Sequence, residues 1–396
     1  MLSKKALGIN PSPTMAIDSK AKDMKSRGID VIGFGAGEPD FDTPLHIREA
    51  AIKAINEGHT RYTPAAGTPE LKEAIAVKLK AENGLEYNPA QIVVSNGAKH
   101  ALSNVFTALL NPGDEVMIPV PYWVTYPELI SLNDGTPVPI ETSEDNQFKV
   151  SPAELDKAFN SKCKALVLNS PCNPTGQIYS KEELKVIADF CCERNIYIIS
   201  DEIYEHLIYG SYSHTSIASF SEKAKDLTIV VNGVSKSYAM TGWRIGYAAS
   251  APGLAKVMAG IQSHTASNPN SIAQKAALAG LRGPQDCVEE MRVAFDERRR
   301  YMYDQIKAVP FLDALEPQGT FYMFVSVAET IGKSFKGQKV YGSDDFAGLL
   351  LESRKVAVVP GAGFGAPGYV RLSFATSMDN IVEGLNRIGA FIGDLE

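Results

Sequence analysis

The sequence has 396 residues, of which 44% are hydrophobic and 21% charged, and its formal net charge is −7. This length favours two domains over one core. An acidic chain has no general attraction for nucleic acid or an anionic membrane, and no apolar stretch is long enough to predict a membrane-spanning helix or a secretory signal. Five cysteines without a CxxC pair predict no metal site and no disulfide framework, and free thiols favour the cytoplasm.

The middle of the chain alternates short apolar runs with helical patterns. The apolar runs are mostly β-branched and do not alternate with polar residues, which is typical of strands buried on both faces of a sheet. They lie at 92–95, 115–119, 136–140, 165–169, 196–200, 228–232 and 245–249. Helical patterns lie at 69–83, 99–110 and 180–193, the last with Ser180 and Glu183 in capping-box spacing. We therefore predict an α/β large domain at 46–285, with helices covering a mainly parallel seven-stranded sheet.

The C-terminal part has a different pattern. It contains a predicted helix over about 287–307, strands in GTFYMFVSV, AVVPGAG and YVRLSFA, and a last helix from about Met378. Strands without regular helical alternation favour an α+β arrangement. Because the first forty residues precede the first strand of the large sheet, we predict a smaller α+β domain built from both termini, residues 1–45 and 286–396.

Two glycine patterns resemble a dinucleotide-binding fingerprint but lack its context. Gly33, Gly35 and Gly37 form a motif whose sixth position is Glu38, and a complete GxGxxG that begins at Gly363 leads into a strand-like segment. The fingerprint requires a turn from a strand into a helix, so we do not expect a nicotinamide cofactor. We expect Gly35 and Gly37 instead to admit a ligand close to the backbone or to form a tight turn.

Polar and reactive side chains follow five of the predicted strands at their carboxyl ends. In an open parallel sheet, ligands bind beyond these ends, so we expect these side chains to share one rim. The segments are Asn96-Gly97-Ala98-Lys99, Pro121-Tyr122-Trp123, 170–176, 201–204 and 233–244. Any one of these residues has an ordinary structural explanation, such as a solvated lysine or a helix N-cap. Taken together, they predict one shared ligand.

One part of this rim suits an aromatic phosphate. Gly97 begins a predicted helix and leaves backbone N–H groups free for an anion. Ser235 and Arg244 can add a hydroxyl and a guanidinium to the same anion. Trp123 has a flat face on which a ring can stack.

The other part suits a hydroxylated pyridine aldehyde. Asp201 can pair with a protonated ring nitrogen, and Asn173 and Tyr204 can hydrogen-bond to a ring hydroxyl. Lys236 offers a primary amine that can form an imine. A phosphorylated, hydroxylated pyridine aldehyde would use all of these groups at once.

The same residues make the chain resemble the class I aminotransferases, which are pyridoxal 5'-phosphate enzymes of fold type I. The matching segments are AGEPDFDTP at 36–44, RYTPAAG at 61–67, SNGAKHAL at 95–102, PYWVTYPE at 121–128, SPCNPTG at 170–176, SDEIYEHL at 200–207, NGVSKSYAMTGWRIGYA at 232–248 and VRLSFATS at 370–377. They span nearly the whole chain in order, and SKxxxMTGWRxG is the most specific of them. The resemblance implies an aminotransferase that acts on amino acids and 2-oxo acids.

The resemblance also implies roles for individual residues. Lys236 is similar to the catalytic lysine that forms a Schiff base with the cofactor. Tyr62 is similar to the tyrosine that reaches the cofactor phosphate from a neighbouring subunit, which implies a homodimer with shared active sites. Arg371 is similar to the arginine that binds the substrate α-carboxylate, with the backbone of Gly37 beside it. The implied cofactor-binding residues are Gly97, Ala98, Trp123, Asn173, Asp201, Tyr204, Ser235, Lys236, Arg244 and Tyr62.

The implied substrate depends on two further positions. Some dicarboxylate-specific members have an arginine five residues before the Asn of an S-N-P segment, where this chain has Ser263. Lys99 and Thr14 instead match the aspartate/prephenate subgroup, in which a lysine and a threonine meet the distal carboxylate. The resemblance therefore favours transfer of the amino group of L-aspartate to 2-oxoglutarate, giving oxaloacetate and L-glutamate. The implied substrate-binding residues are Gly37, Trp123, Asn173, Arg371, Lys99 and Thr14.

Several alternatives stay open. A lysine ammonium is less exacting in geometry than an arginine fork, so prephenate or aromatic oxo acids are alternative substrates. A carbon–sulfur lyase of the same fold would release pyruvate and ammonia without an oxo-acid acceptor. A non-catalytic ligand-sensing domain would usually come with a DNA-binding module, and the sequence has no basic patch that suggests one.

Overall fold

The structure is a computed structural model that describes residues 2–9 and 13–396. In chain order, helices α1 to α14 are Lys4–Leu7, Pro13–Ser26, Leu45–Asn56, Pro69–Asn83, Ala98–Leu109, Thr125–Leu132, Pro152–Ala158, Lys181–Arg194, Glu222–Leu227, Pro252–Thr265, Ser271–Arg282, Asp286–Ala308, Ser343–Arg354 and Met378–Gly393. Strands β1 to β15 are Ile32–Gly33, Ile92–Ser95, Glu115–Pro119, Thr136–Ile140, Cys163–Asn169, Tyr197–Asp201, Thr228–Gly233, Gly246–Ala249, Asp313–Ala314, Tyr322–Ser326, Ser334–Phe335, Gln338–Lys339, Val356–Ala357, Val359–Pro360 and Tyr369–Ser373. Of the helices in these described ranges, none is long and apolar enough to cross a membrane.

A seven-stranded sheet forms the centre of the α/β part, as predicted. The strand order is β2-β8-β7-β6-β5-β3-β4, and only β8 runs antiparallel to its neighbours. Every residue of β2, β7 and β8 is buried, which explains why these strands show no alternation of polar and apolar residues. The capping box of Ser180 and Glu183 at the start of α8 is confirmed.

A second, antiparallel sheet has the order β14-β15-β10-β9 and packs with α12, α13 and α14. The amino-terminal segment joins this part of the molecule, because β1 pairs in parallel with β13 and the backbone N–H of Ser373 donates to the carbonyl of Phe34. The smaller α+β unit therefore draws on both termini. Its boundaries at 45 and 286 stay a prediction.

A buried ion pair lies behind the strand that leads to Lys236. Lys78 of α4 donates to Glu205, and both side chains are only 5% exposed. Glu205 also accepts hydrogen bonds from Asn83 at 2.8 Å and from Asn232 of β7 at 2.6 Å. Burial opposes the charge of Glu205, but Lys78, together with His206, His214 and the hydrogen bond from Asn83, outweighs it and lowers the pKa of this carboxyl to about 2. The pair therefore ties α4 to the end of β7.

We expect the variant Lys78→Met to be strongly destabilised, because it leaves the buried Glu205 carboxylate without its cation. The expected loss is about 3–5 kcal/mol in the free energy of unfolding, measured by urea denaturation. Lys80→Met is the matched control, since Lys80 lies on the same helix and pairs with Glu86 at the exposed surface. Equal denaturation midpoints for the two variants would contradict the importance of the buried pair.

Candidate functional site

A cavity of about 490 Å³ lies at the carboxyl ends of the large sheet and is lined by residues of both sheets. Its volume is within the range of about 300–1,000 Å³ that is typical of small-molecule sites. The predicted site residues that line it are Gly37, Ala98, Lys99, Trp123, Asn173, Asp201, Tyr204, Ser235, Lys236, Arg244 and Arg371. The structure thus brings together residues that are spread over more than 300 positions of the sequence.

Two predicted residues with described side chains or backbone, Gly97 and Tyr62, do not line this cavity. Gly97 lies directly behind it, where a Cβ atom would come within 2.4 Å of the Arg244 guanidinium. Tyr62 has 91% of its surface exposed, so its predicted role depends on a second subunit. Thr14 belongs to α2, but its side chain is outside the described part of the chain.

Lys236 follows β7 and reaches the cavity as a half-buried side chain. Its Nζ donates a hydrogen bond of 2.6 Å to the carbonyl oxygen of Gly37. Desolvation, helped by Arg371 and Arg244 and opposed by Glu38, lowers the pKa of Lys236 to about 8. At pH 7 roughly a tenth of this amine is therefore a neutral nucleophile, about two hundred times the fraction for an ordinary exposed lysine.

Asp201 is the last residue of β6 and is only 3% exposed. Its carboxylate accepts hydrogen bonds from the hydroxyl of Tyr126 at 2.8 Å and from the backbone N–H of Ile203 at 3.3 Å. Burial outweighs these bonds and raises the pKa of Asp201 to about 6. A buried carboxylate with this affinity for a proton suits a partner that brings its own positive charge, such as a protonated ring nitrogen.

Arg371 lies in the middle of β15 and is 1% exposed. Its guanidinium donates to the side-chain oxygen of Asn173 at 2.9 Å and to the carbonyl of Gly35 at 3.2 Å. The Nε atom is buried and has no hydrogen-bond partner among the described residues. Because a buried donor without a partner is unfavourable, Arg371 is suited to accept a carboxylate as a ligand.

An anion-binding end is built where α5 begins. Gly97 precedes this helix with a φ of 84°, which favours glycine, and the helix N-terminus follows at Ala98. Arg244 is anchored beside it, donating to the carbonyls of Thr241 at 2.8 Å and Asn96 at 3.4 Å. The buried Ser235 lines the cavity next to these groups. Backbone N–H groups, a hydroxyl and a guanidinium together suit a phosphate.

Lys99 lies farther along the same wall. Its Nζ is 4.9 Å from the centre of the Trp123 ring. Burial and the neighbouring Arg244 guanidinium lower the pKa of Lys99. Lys99 is thus a further cation in the lining of the cavity, besides Arg244, Lys236 and Arg371.

Sequence reasoning missed three residues that the cavity contains. Tyr126 donates to the carboxylate of Asp201. It belongs to the segment PYWVTYPE, which carries the family resemblance, but no role was predicted for it. Tyr322 stands against the Arg371 guanidinium, with its ring centre 4.1 Å from Cζ. Glu38 accepts from Thr241 at 2.8 Å and lies close enough to act on Lys236. Only strand pairing could have found Tyr322, because it is diagonal to Arg371 in the register of β10 and β15.

Comparison with known proteins identifies the family. The family profile described as aminotransferase class I and II matches residues 29–388. The aspartate aminotransferase of Geobacillus stearothermophilus is 51% identical, covering 99% of this chain and 98% of the relative, and the probable aspartate/prephenate aminotransferase of Aquifex aeolicus is 49% identical, covering 98% and 97%.

Solved structures agree with the sequence relatives. The crystal structure of the aspartate aminotransferase from Rhizobium meliloti superposes with a TM-score of 0.96 at 40% identity, covering 100% of both chains. The Thermus thermophilus aspartate aminotransferase with maleate has a TM-score of 0.93 at 41% identity, covering 99% of both. With a profile match across most of its length and full-length relatives near 50% identity, the chain belongs to the aminotransferase class I and II family.

Proposed function

We propose that the protein is a pyridoxal-phosphate-dependent aminotransferase that moves the amino group of L-aspartate to 2-oxoglutarate, giving oxaloacetate and L-glutamate. The central observation is that one cavity contains the amine of Lys236, the buried carboxyl of Asp201 and the partly unpaired guanidinium of Arg371. Relatives at 49–51% identity that are named aspartate aminotransferase support this activity.

The residues of the cavity fit pyridoxal phosphate. The phosphate would be held at the start of α5 by Gly97 and Ala98, with Ser235 and Arg244. A Cβ atom at Gly97 would fill the space next to the Arg244 guanidinium, so glycine is required for this cradle. The pyridine nitrogen would pair with Asp201, whose burial already favours a proton at this position.

The remaining contacts to the ring come from three residues. Trp123 would stack on it, and Asn173 and Tyr204 would hydrogen-bond to its hydroxyl. When bound, pyridoxal phosphate supplies a carbonyl carbon that reacts with primary amines and a ring that accepts electron density from the substrate α-carbon. The protein's own contribution is to place an amine, a proton and two carboxylate-binding groups around that ring.

Lys236 is the residue that would hold the cofactor and then move a proton. Its lowered pKa leaves the Nζ atom able to take a proton from the substrate α-carbon. Asp201 would keep a proton on the ring nitrogen throughout, since its carboxylate is buried and fixed by Tyr126. Together, Lys236 and Asp201 would stabilise the charge that develops on the substrate α-carbon and the ring as the proton moves.

Arg371 would orient the substrate through its α-carboxylate. Two of its N–H groups are engaged with Asn173 and Gly35, and the unpaired Nε leaves further donors for this ligand. The backbone of Gly37 lines the cavity beside it. Lys99, which lines the cavity, and Thr14, whose role follows from the resemblance, would meet the distal carboxylate of aspartate or 2-oxoglutarate.

We further propose that the protein is a homodimer in the cytoplasm. Tyr62 is almost fully exposed, so it would reach the phosphate of a second copy of this chain and not that of its own. Each active site would then be shared between two subunits. All five cysteines are free, which fits a reducing compartment.

A second candidate is amino transfer involving prephenate or an aromatic oxo acid. A relative from Nitrosomonas europaea, 45% identical, is named aspartate/prephenate aminotransferase. A relative from Aquifex aeolicus, 49% identical, is named probable aspartate/prephenate aminotransferase. A lysine at position 99 makes fewer geometric demands on its ligand than an arginine, which is compatible with a broader range of acids.

The first test concerns Lys236 itself. We expect Lys236→Ala to lower kcat for aspartate and 2-oxoglutarate by about 100-fold or more, because the group that moves the proton is lost. Oxaloacetate formation in a coupled assay measures it. Lys53→Ala, which alters an exposed side chain of α3, should behave like the unmodified protein.

Two results would contradict the proposal. One is turnover by Lys236→Ala at the rate of the unmodified protein. The other is release of pyruvate and ammonia from an amino acid without any 2-oxo acid, which would identify a lyase. If the purified protein did not show the visible absorbance of amine-bound pyridoxal, pyridoxal phosphate would be excluded as its cofactor.

The second test concerns the protonation of Lys236. In cofactor-free protein, acylation of its amine by a dilute reagent should reach half of its maximum rate at about pH 8, because only the neutral amine reacts. Lysines exposed to water ordinarily titrate near 10.4, so their labelling should keep rising well above that pH. Peptide mass spectrometry after competitive labelling measures both. A profile for Lys236 that follows that of the exposed lysines would contradict its desolvation.

The third test concerns the distal carboxylate. We expect Lys99→Met to raise KM for aspartate and 2-oxoglutarate by about 10- to 100-fold, because a hydrogen bond to a charged group is lost. The KM for phenylalanine should change little, since that substrate has no distal carboxylate. Lys99→Arg is the matched control and should retain most of the affinity for dicarboxylates. Parallel changes for aspartate and phenylalanine would exclude this role for Lys99.

A further inference from the structure

Tyr322 connects the two ends of the cavity. It begins β10, is 1% exposed and lines the cavity between Tyr204 and Arg371. In the antiparallel register of β10 and β15, Phe324 is opposite Arg371, so Tyr322 lies two residues away on the same face. This diagonal position is within reach of an aromatic side chain.

The hydroxyl of Tyr322 is 3.1 Å from the hydroxyl of Tyr204. Tyr322 belongs to β10, whereas Tyr204 lies in the turn that follows β6, 118 positions away in the sequence. A Cβ atom at Gly37 would lie 3.3 Å from the same hydroxyl of Tyr322, so the space around it is closely packed. The two rings also meet edge to face, with centres 5.9 Å apart.

The ring of Tyr322 covers one face of the Arg371 guanidinium. The distance from Cζ of Arg371 to the ring centre is 4.1 Å, which is a close cation–π contact. Phe364 has its ring centre 5.3 Å from the same carbon. With the face covered, the guanidinium is left with its edge donors, which are the ones that bind a carboxylate.

We infer that Tyr322 is a positioning residue that couples the cofactor end of the site to the carboxylate end: its hydroxyl donates to Tyr204 and its ring holds Arg371. The inference rests on the proposed function, because it assumes that Tyr204 meets the ring hydroxyl of pyridoxal phosphate. A phenol has one proton. If Tyr204 gives its proton to the cofactor, its bond to Tyr322 must be donated by Tyr322.

The consequence is electrostatic. A Tyr204 hydroxyl that accepts from Tyr322 is a stronger donor to the cofactor, because hydrogen bonds in a chain polarise one another. The charged groups around Tyr204 are Lys236, whose Nζ is 5.9 Å from the ring centre, together with Arg371 and Asp201. None of these is altered when the Tyr322 hydroxyl alone is removed, so the effect of that hydroxyl can be measured separately.

The test compares Tyr322→Phe, Tyr322→Leu and Tyr209→Phe in the holoenzyme. Tyr209→Phe is the matched control, since Tyr209 is a fully buried tyrosine of the same apolar cluster that donates to Thr320 and does not line the cavity. Two properties are measured: the pH midpoint of the visible absorbance of the bound cofactor, and the affinity for maleate, an unreactive dicarboxylate.

We expect Tyr322→Phe to raise the absorbance midpoint by about 0.4 to 1 pH unit, because Tyr204 becomes a weaker donor. Its affinity for maleate should stay within about twofold, because the ring is retained. Tyr322→Leu should bind maleate about 3- to 30-fold more weakly, because Arg371 loses the ring. Tyr209→Phe should change neither property.

An unchanged midpoint in Tyr322→Phe, or the same shift in Tyr209→Phe, would overturn the inference. Unchanged maleate binding by Tyr322→Leu would overturn its second part, and Tyr322→Phe still decides the first part if the leucine variant does not fold. Failure of the proposed function is a separate result, because the unmodified protein would then show no cofactor absorbance and no response to aspartate.

Discussion

The half-buried amine of Lys236 lies where an ammonium ion is poorly solvated, and the other groups of the cavity are arranged around that constraint. Arg371 and Arg244 make the charge of this amine less favourable, whereas Glu38 and Asp201 make it more favourable. Without desolvation, a lysine keeps its proton near neutral pH and is neither a nucleophile nor a base. The cations proposed to bind the two anionic ends of the ligands would therefore also lower the proton affinity of the amine between them.

The two sheets supply different groups of the proposed binding site. The large sheet supplies Asp201, Lys236 and the helix start at Ala98, all of which follow the carboxyl ends of its strands. The second sheet supplies Arg371 from the middle of β15. In the proposed complex, the substrate α-carbon would lie between these two frameworks, so its position over Lys236 would depend on how well they are joined. Contacts that cross between them, such as that of Asn173 with Arg371, would then affect reactivity as well as stability.

Much of this site could be predicted from sequence because its residues follow predicted strands. A buried strand is recognised locally, and the rule that ligands bind beyond carboxyl ends then places Asp201 and Lys236 on one rim without any knowledge of tertiary contacts. Tyr322 could not be placed in this way, since its contact with Tyr204 joins β10 to the turn that follows β6, 118 positions away. Tyr62 is the opposite case, because its partner would lie on another chain. The direction of β8 also could not be predicted from the sequence. A strand that is buried on both faces shows the same apolar pattern whether it is parallel or antiparallel.

The backbone carbonyls of Gly35 and Gly37 explain how such a cationic cavity is tolerated. Arg371 donates to the first at 3.2 Å and Lys236 to the second at 2.6 Å, so each cation has a neutral acceptor. In the proposed complex, a substrate carboxylate would bind to the donors that Arg371 keeps beside these neutral acceptors, and charge-assisted hydrogen bonds are about twice as strong as neutral ones. The proposed α-carboxylate would therefore meet a guanidinium that neutral acceptors already hold in place. A Cβ atom at Gly37 would lie 3.3 Å from the Tyr322 hydroxyl, so glycine fits this close approach between the Lys236 acceptor and Tyr322.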